Sequence, residues 1–322
     1  MTRAAVRARG PGLARLIRDL LPYAGLLGVI VFFALSSEYF LDLRNFERLV
    51  TDSTTLMLVA FGMTMVILLG EIDLSVGAVV SLLAVILAQI MEAGAGWPVA
   101  VAAVLALGIL IGALNGALTV LGDIPSFIVT LGVMAIATGL AYVFTGAISV
   151  AIMSEPFLVL FYDARALGLP VPLLIVAVTF LACLFFLDRT VAGRELFAIG
   201  ANAAAARLSG VPVRRRKVMV FAIMGGLVAM AAVLSAARLG SGAPASVPAL
   251  TLDAIAAVII GGASLFGGRA SLLRTLMGAA LIAVLNNGMV LMNVNIDLQY
   301  VVKGMIILLA VVLERLASGG RS

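Results

Sequence analysis

The sequence predicts an all-α integral membrane protein with about ten transmembrane helices, some broken or re-entrant, and both termini cytoplasmic. Three observations lead there. Of the 322 residues, 63% are hydrophobic and 11% are charged, with a mean hydropathy of +1.23. Soluble domains run near half apolar and about a quarter charged, so a water-soluble core could not hide this much apolar surface. Apolar segments of membrane-crossing length then follow one another with short polar breaks. Basic residues, finally, gather in alternate breaks, as they do in cytoplasmic loops.

The first apolar segment, 20–36, follows Arg3, Arg7, Arg9, Arg15 and Arg18. It lacks a small-residue cleavage site and further spans follow, so an uncleaved signal-anchor is expected. Spans are then expected at 54–70, 75–92, 97–120, 124–145, 169–187, 218–237, 253–266, 272–292 and 298–314. Crossing takes about 20 residues. The 253–266 segment is too short and turns glycine-rich after Ile260, which predicts a half-span or re-entrant piece shielded by protein.

Charge orients the set. The N-terminal arm carries five arginines against Asp19 and is placed inside. Segment 37–52, with Glu38, Asp42, Glu47 and Asp52 against Arg44 and Arg48, is placed outside, as is 146–168. Segment 188–217 holds Arg189, Arg194, Arg207, Arg214, Arg215, Arg216 and Lys217 against Asp188 and Glu195, and is placed inside. It is too long for a bundle turn, and AIGANAAAARLSG predicts a short surface helix ended by Gly210 and Pro212.

Several classes of function are disfavoured. Cys183 is the only cysteine and histidine is absent, which removes a disulfide framework and the commonest metal ligands and general base. No metal or cofactor is expected. The net charge of +5 reports topology, and no basic run interleaves with aromatics, so no nucleic-acid partner is expected. Lipid headgroups are expected to meet the basic loop.

Four clusters could carry function. Glu71, Asp73 and Ser75 lie at i, i+2, i+4 in GEIDLSVG, and only a broken helix or an extended crossing would present them together. They either sit in a watery turn, with Asp73 or Ser75 capping the next helix, or line a pathway. A second set is the lone polar residues within spans: Thr64, Asn115, Ser126, Thr130, Thr138, Asn286 and Asn287. Singly, each reads as interhelical glue; together they suit a path for an uncharged, hydroxyl-rich solute. GGASLFGG at 261–268 has four glycines in eight residues, which marks close backbone approach, and lacks the Lys-Ser/Thr of a phosphate loop. The 188–217 segment reads either as a headgroup-touching basic loop or as a docking helix, with small residues 203–206 between Arg194 and Arg207.

GEIDLSVGAVVSL, PSFIVTLGVMAIATGL, GRELFAIGANAAAARLSGV and GGASLFGGRAS occur in that order. Together they resemble the permease subunits of ribose-type ABC sugar importers, over about residues 50 to 314. The resemblance implies one transmembrane permease domain over 1–322 with a cytoplasmic coupling loop at 188–217. It implies a second permease copy or related chain as partner, cytoplasmic ABC ATPase subunits that hydrolyse ATP, and a periplasmic binding protein that delivers a monosaccharide across the bacterial inner membrane. Gly193, Arg194, Gly200, Asn202, Ala205, Ala206 and Gly210 match the family's coupling pattern, and Arg207 lies among them. Ala204 stands where the wider pattern has Glu, and Ala270 and Arg274 stand where the family often has Gly. The rival is an ion-coupled secondary transporter, for which Glu71 and Asp73 are the candidate membrane carboxylates.

Overall fold

A computed structural model describes residues 13–317. Arg3, Arg7 and Arg9 of the basic arm lie outside the described residues. The described chain is helical almost throughout. Its longer helices are α1 (Leu13–Ser36), α2 (Leu43–Leu68), α3 (Val76–Glu92), α4 (Trp97–Leu121) and α5 (Ser126–Thr145). After the short α6 (Glu155–Leu158) and one π-turn (Val159–Asp163) come α7 (Val171–Arg189), α8 (Val191–Ala201), α9 (Ala203–Leu208) and α10 (Val213–Leu239). The chain then forms α11 (Leu250–Ile260), α12 (Leu272–Leu291) and α13 (Ile296–Ala317). The strands are two-residue pairs, such as Val150–Ala151 with Ser241–Gly242.

Six of the described helices are long and apolar enough to cross a membrane: α2, α4, α5, α7, α10 and α12. The chain is therefore a multi-pass membrane protein. α11 has 11 residues, about 16 Å of rise, which is too short to cross alone. The 37–52 segment, anticipated as a polar connection, is largely the first turns of α2, with Asp42 capping the helix by accepting from the Arg44 N–H at 2.8 Å.

α2 and α10 are buried along most of their length, whereas only 22% of the apolar stretch of α4, α5 and α7 is buried. Small residues bring α4 and α10 together. Gly108, Gly112 and Gly116 repeat every four residues along one face of α4 and meet Gly225 and Phe221 on α10. A Cβ on Gly112 would collide with the Phe221 carbonyl, and one on Gly225 with the Gly108 carbonyl. In lipid, dispersion at such close approach replaces the hydrophobic effect between helices. Gly62 of α2 admits the Met224 sulfur in the same way, and Gly288 of α12 admits the Phe33 ring of α1.

Gly225→Leu should therefore separate α4 from α10 and lower stability by about 3 kcal/mol, read as earlier unfolding of purified protein in detergent. Gly28→Leu on α1, where a Cβ would meet nothing within 4 Å, should leave unfolding unchanged.

Candidate functional site

The first part of the site is the gap between α2 and α3. α2 ends as the Gly70 and Glu71 amides fold back on Ile67 and Val66, with Gly70 at φ +73°. Residues 71–75 then run without helical hydrogen bonds before α3 begins. Their bare amides are met by side chains of α5. Ser126 Oγ accepts from the Ile72 N–H at 3.1 Å, and Thr130 Oγ1 accepts from the Leu74 N–H at 3.0 Å. The match is geometric: two residues of extended chain advance about 6.6 Å, and four residues of helix about 6 Å. Thr130 also donates to the Ser126 carbonyl at 2.9 Å.

The side chains of residues 71, 73 and 75 do not form one cluster. Glu71 pairs with Lys217 at the start of α10. Asp73, 3% exposed, accepts from the Ser75 N–H at 2.9 Å and from its hydroxyl at 2.6 Å. It thereby places a carboxylate at the N-terminus of α3, where the helix dipole favours it. Asn115, 1% exposed, donates to Ser75 Oγ at 3.2 Å and leaves its Oδ1 buried without a partner. So Ser126 and Thr130 serve the backbone directly, and Asn115 holds the Ser75 hydroxyl. Thr64 bonds Thr275 on α12 at 2.9 Å, and Thr138 is exposed and bonds only its own helix.

The second part is a cavity of about 380 Å³ at the opposite end of α2. It lies among the starts of α2, α11 and α13 and the ends of α10 and α12. Asn286 and Asn287 both line it and diverge. Asn286 donates to Asp253 Oδ2 at 3.2 Å, while Asn287 exchanges hydrogen bonds with Asn45 at 2.8 and 3.0 Å. Asp253, 6% exposed, also pairs with Lys303 at 3.0 Å, and Arg238 faces Asp52 at 3.4 Å. The unpartnered Asn286 Oδ1 and Arg238 Nε are buried at the same place. Asp253, Lys303, Asp52 and Arg238 were missed in the sequence. Asp253 thus adds a buried carboxylate to Glu71 and Asp73, the two that the sequence singles out. Asp253 stands alone among apolar residues in LTLDAIAAVII, and that isolation was the available signal.

The third part is 188–217, at the α2–α3 gap end. It is two helices, not one. Asn202 breaks it at φ −165°, ψ 100°, and its side chain caps α9 by accepting from the Ala205 N–H at 2.9 Å. The eight residues singled out here divide by face. Arg194, Asn202, Ala205, Arg207 and Gly210 are exposed. Gly193 and Ala206 are buried, and Gly200 is half-buried against backbone. A Cβ on Gly193 would strike the Phe186 and Leu187 carbonyls, and one on Gly200 would strike the Leu68 carbonyl and the Gly268 amide.

Gly200 therefore marks a junction of three segments: the end of α8, the end of α2, and the 261–268 turn. The Gly268 N–H donates to the Leu68 carbonyl at 2.9 Å, and Gly267 and Gly268 hold φ of +86° and +75°. Two ion pairs, Glu71–Lys217 and Glu195–Arg216, tie α10 to the same place. From this junction α2 runs 16 residues, about 24 Å, to Asp52 at the cavity.

A bundle with a buried helix break, a polar cavity at one end and a surface segment clamped by main chain at the other has the parts of a driven transporter. Residues 45–311 match the family described as branched-chain amino acid transport system / permease component. The chain belongs to this permease family. It is 37% identical to the ribose import permease protein of Escherichia coli (strain K12), over 90% of this chain and 91% of that protein. It is similarly 36% identical to the D-allose transport system permease protein of the same organism, over 90% of this chain and 89% of that one. A third relative, the xylose transport system permease protein, is 34% identical over 89% of each. No solved structure matches the chain.

Two substitutions and one control test this geometry. Thr130→Val keeps the shape but strands the Leu74 N–H and should cost about 1–3 kcal/mol, whereas Thr138→Val should leave detergent unfolding unchanged. Gly200→Ala should lift α8 from its seat, so that limited trypsin cuts faster at Arg194 and Arg207 while the protein still inserts.

Proposed function

We propose that this chain is the membrane-spanning permease subunit of an ATP-binding cassette importer that carries a monosaccharide, ribose or a related sugar, across the bacterial inner membrane. The observation that carries the proposal is the main-chain junction at Gly200. An exposed segment that a cytoplasmic ATPase could move is seated directly on the end of α2, and α2 reaches the polar cavity. The curated relatives, named for ribose, allose and xylose, support the sugar assignment.

In this scheme about ten helices cross the bilayer, α11 as a half-span, with both termini and 188–217 on the cytoplasmic side and the cavity on the periplasmic side. A periplasmic sugar-binding protein delivers solute to the cavity end. Asn286, Asp253 and Lys303 offer donors and acceptors together, as hydroxyl groups require. The charges in the cavity are paired with each other, which suits a neutral solute. ATP is hydrolysed in separate ABC ATPase subunits, which meet the exposed residues Arg194, Asn202, Ala205, Arg207 and Gly210. Gly193, Gly200 and Ala206 hold the coupling segment in place from behind. Alternating access then follows if the ATPases favour one arrangement of the junction on binding ATP, since only a difference in interaction between two states can shift them.

A second permease, a copy or a related chain, completes the pathway. α5 supports this pairing: Gly132, Ala135 and Gly139 share one exposed face, and a Cβ on either glycine would meet nothing within 4 Å. The ion-coupled alternative draws no support from the carboxylates. Glu71 and Asp253 are paired with lysines, and Asp73 accepts two hydrogen bonds from Ser75.

The test is uptake of ribose, xylose and allose by proteoliposomes holding the chain, its ATPase and the binding protein. Uptake should need ATP and binding protein and ignore ionophores; uptake that persists without ATP and collapses with an ion gradient would sink the importer. Asp253→Asn should reduce sugar uptake about tenfold, as loss of a buried charged hydrogen-bond partner does, without changing ATPase association.

A further inference from the structure

We infer that the turn between α11 and α12 is a second docking contact for the ATPase, with Phe266 as its apolar anchor. This rests on the importer assignment above and adds to it a surface outside 188–217.

Phe266 is 93% exposed at the tip of a turn that is otherwise tightly held. The Gly267 N–H donates to the Ser264 carbonyl at 3.0 Å, the Ser264 N–H to the Arg269 carbonyl at 2.9 Å, and the Phe266 N–H to Ser264 Oγ at 3.3 Å. Behind the tip the turn has no room to move inward. A Cβ on Gly267 would lie 2.8 Å from the Gly70 amide nitrogen, and one on Gly268 would lie 3.0 Å from the Ala201 Cα. The main chain thus presses the turn against α2 and α8, and Phe266 is held out of the fold by an ordered backbone.

Lipid does not account for that exposure. The turn joins the end of the bundle where Glu71 pairs with Lys217 and Glu195 with Arg216, and Arg269 beside it is exposed. An exposed aromatic ring among charges is what a protein partner buries at the centre of an interface, inside a polar rim. The surface is continuous with the coupling segment, because the turn sits on Gly200 and Ala201 at the end of α8. Leu208 on α9, 91% exposed, supplies a second anchor in that segment.

Charge indicates the partner's chemistry. Arg194, Arg207, Arg214, Arg215 and Arg269 are exposed on these segments, against Asp188 and, in the adjacent α4–α5 turn, Asp123. The fitting partner is an ATPase face with an apolar pocket rimmed by carboxylates. Contact at both α8–α9 and the 264–269 turn would let one motion of the ATPase act on α2 and α11 together.

Phe266→Ala is the direct test, since so exposed a side chain makes little contribution to folding. The full chain in nanodiscs is titrated with its co-expressed ABC ATPase, and coupled uptake is measured in parallel. Affinity should fall about tenfold, in the range of a central aromatic anchor, with sugar-dependent ATP hydrolysis falling in step. Phe266→Leu should restore most of it, and Phe32→Ala on α1 should have no effect. Affinity and uptake for Phe266→Ala within twofold of the original chain would overturn the second contact and leave the importer assignment intact. Failure of the unsubstituted chain to bind the ATPase would overturn the importer assignment itself.

Discussion

A backbone amide buried away from water must find its partner within the protein, so a buried break in a helix must be satisfied by its neighbours. This chain breaks between α2 and α3, and much of the surrounding structure is arranged around that break. The hydroxyls of Ser126 and Thr130 stand one helical turn apart on α5 and meet amides two residues apart on 71–75. Just ahead of α3, Asp73 accepts from the Ser75 N–H and hydroxyl. A helix pair that would otherwise form a plain turn is joined by a part-extended link, held by side chains of its neighbours.

The second organising feature is the absence of side chains where segments meet. Glycines on α4 and α10 let the backbones touch along the middle of the bundle. Glycines at 70, 200, 267 and 268 do the same at its surface. Contacts through side chains can yield by rotamer changes, whereas contacts between backbones yield little. A displacement of α8 would therefore reach α2 and the α11–α12 turn with little slack. A single methyl group at Gly200 would meet the Leu68 carbonyl and the Gly268 amide, whereas Arg194 and Arg207 are exposed.

Much was legible along the chain and less was legible across it. Apolar runs and glycine-rich breaks located the helices, and the polarity of GEIDLSVG marked the gap. The residues picked as pathway candidates were real interior polar groups. However, Ser126 and Thr130 hydrogen-bond backbone, and Asn115 the Ser75 hydroxyl. Linear pattern reveals that a polar residue is inside but not which partner it meets. Asp253 was overlooked for the converse reason: it lies in a short helix whose apolar neighbours hid its pairing with Lys303, fifty residues later. Likewise, Gly193 and Gly200 share a motif with the exposed Arg194 and Asn202, although helix geometry turns the two glycines inward.

By itself, the sequence determined that this is a helical multi-pass membrane protein with one large basic surface segment, because hydrophobicity and charge act locally and add along the chain. Tertiary structure alone decided that 188–217 is two helices clamped at Gly200, that Glu71 and Asp73 part company, and that a charged cavity forms at the far end of α2. Those outcomes depend on which atoms of distant segments come within hydrogen-bonding or van der Waals distance, and that is set by packing in three dimensions.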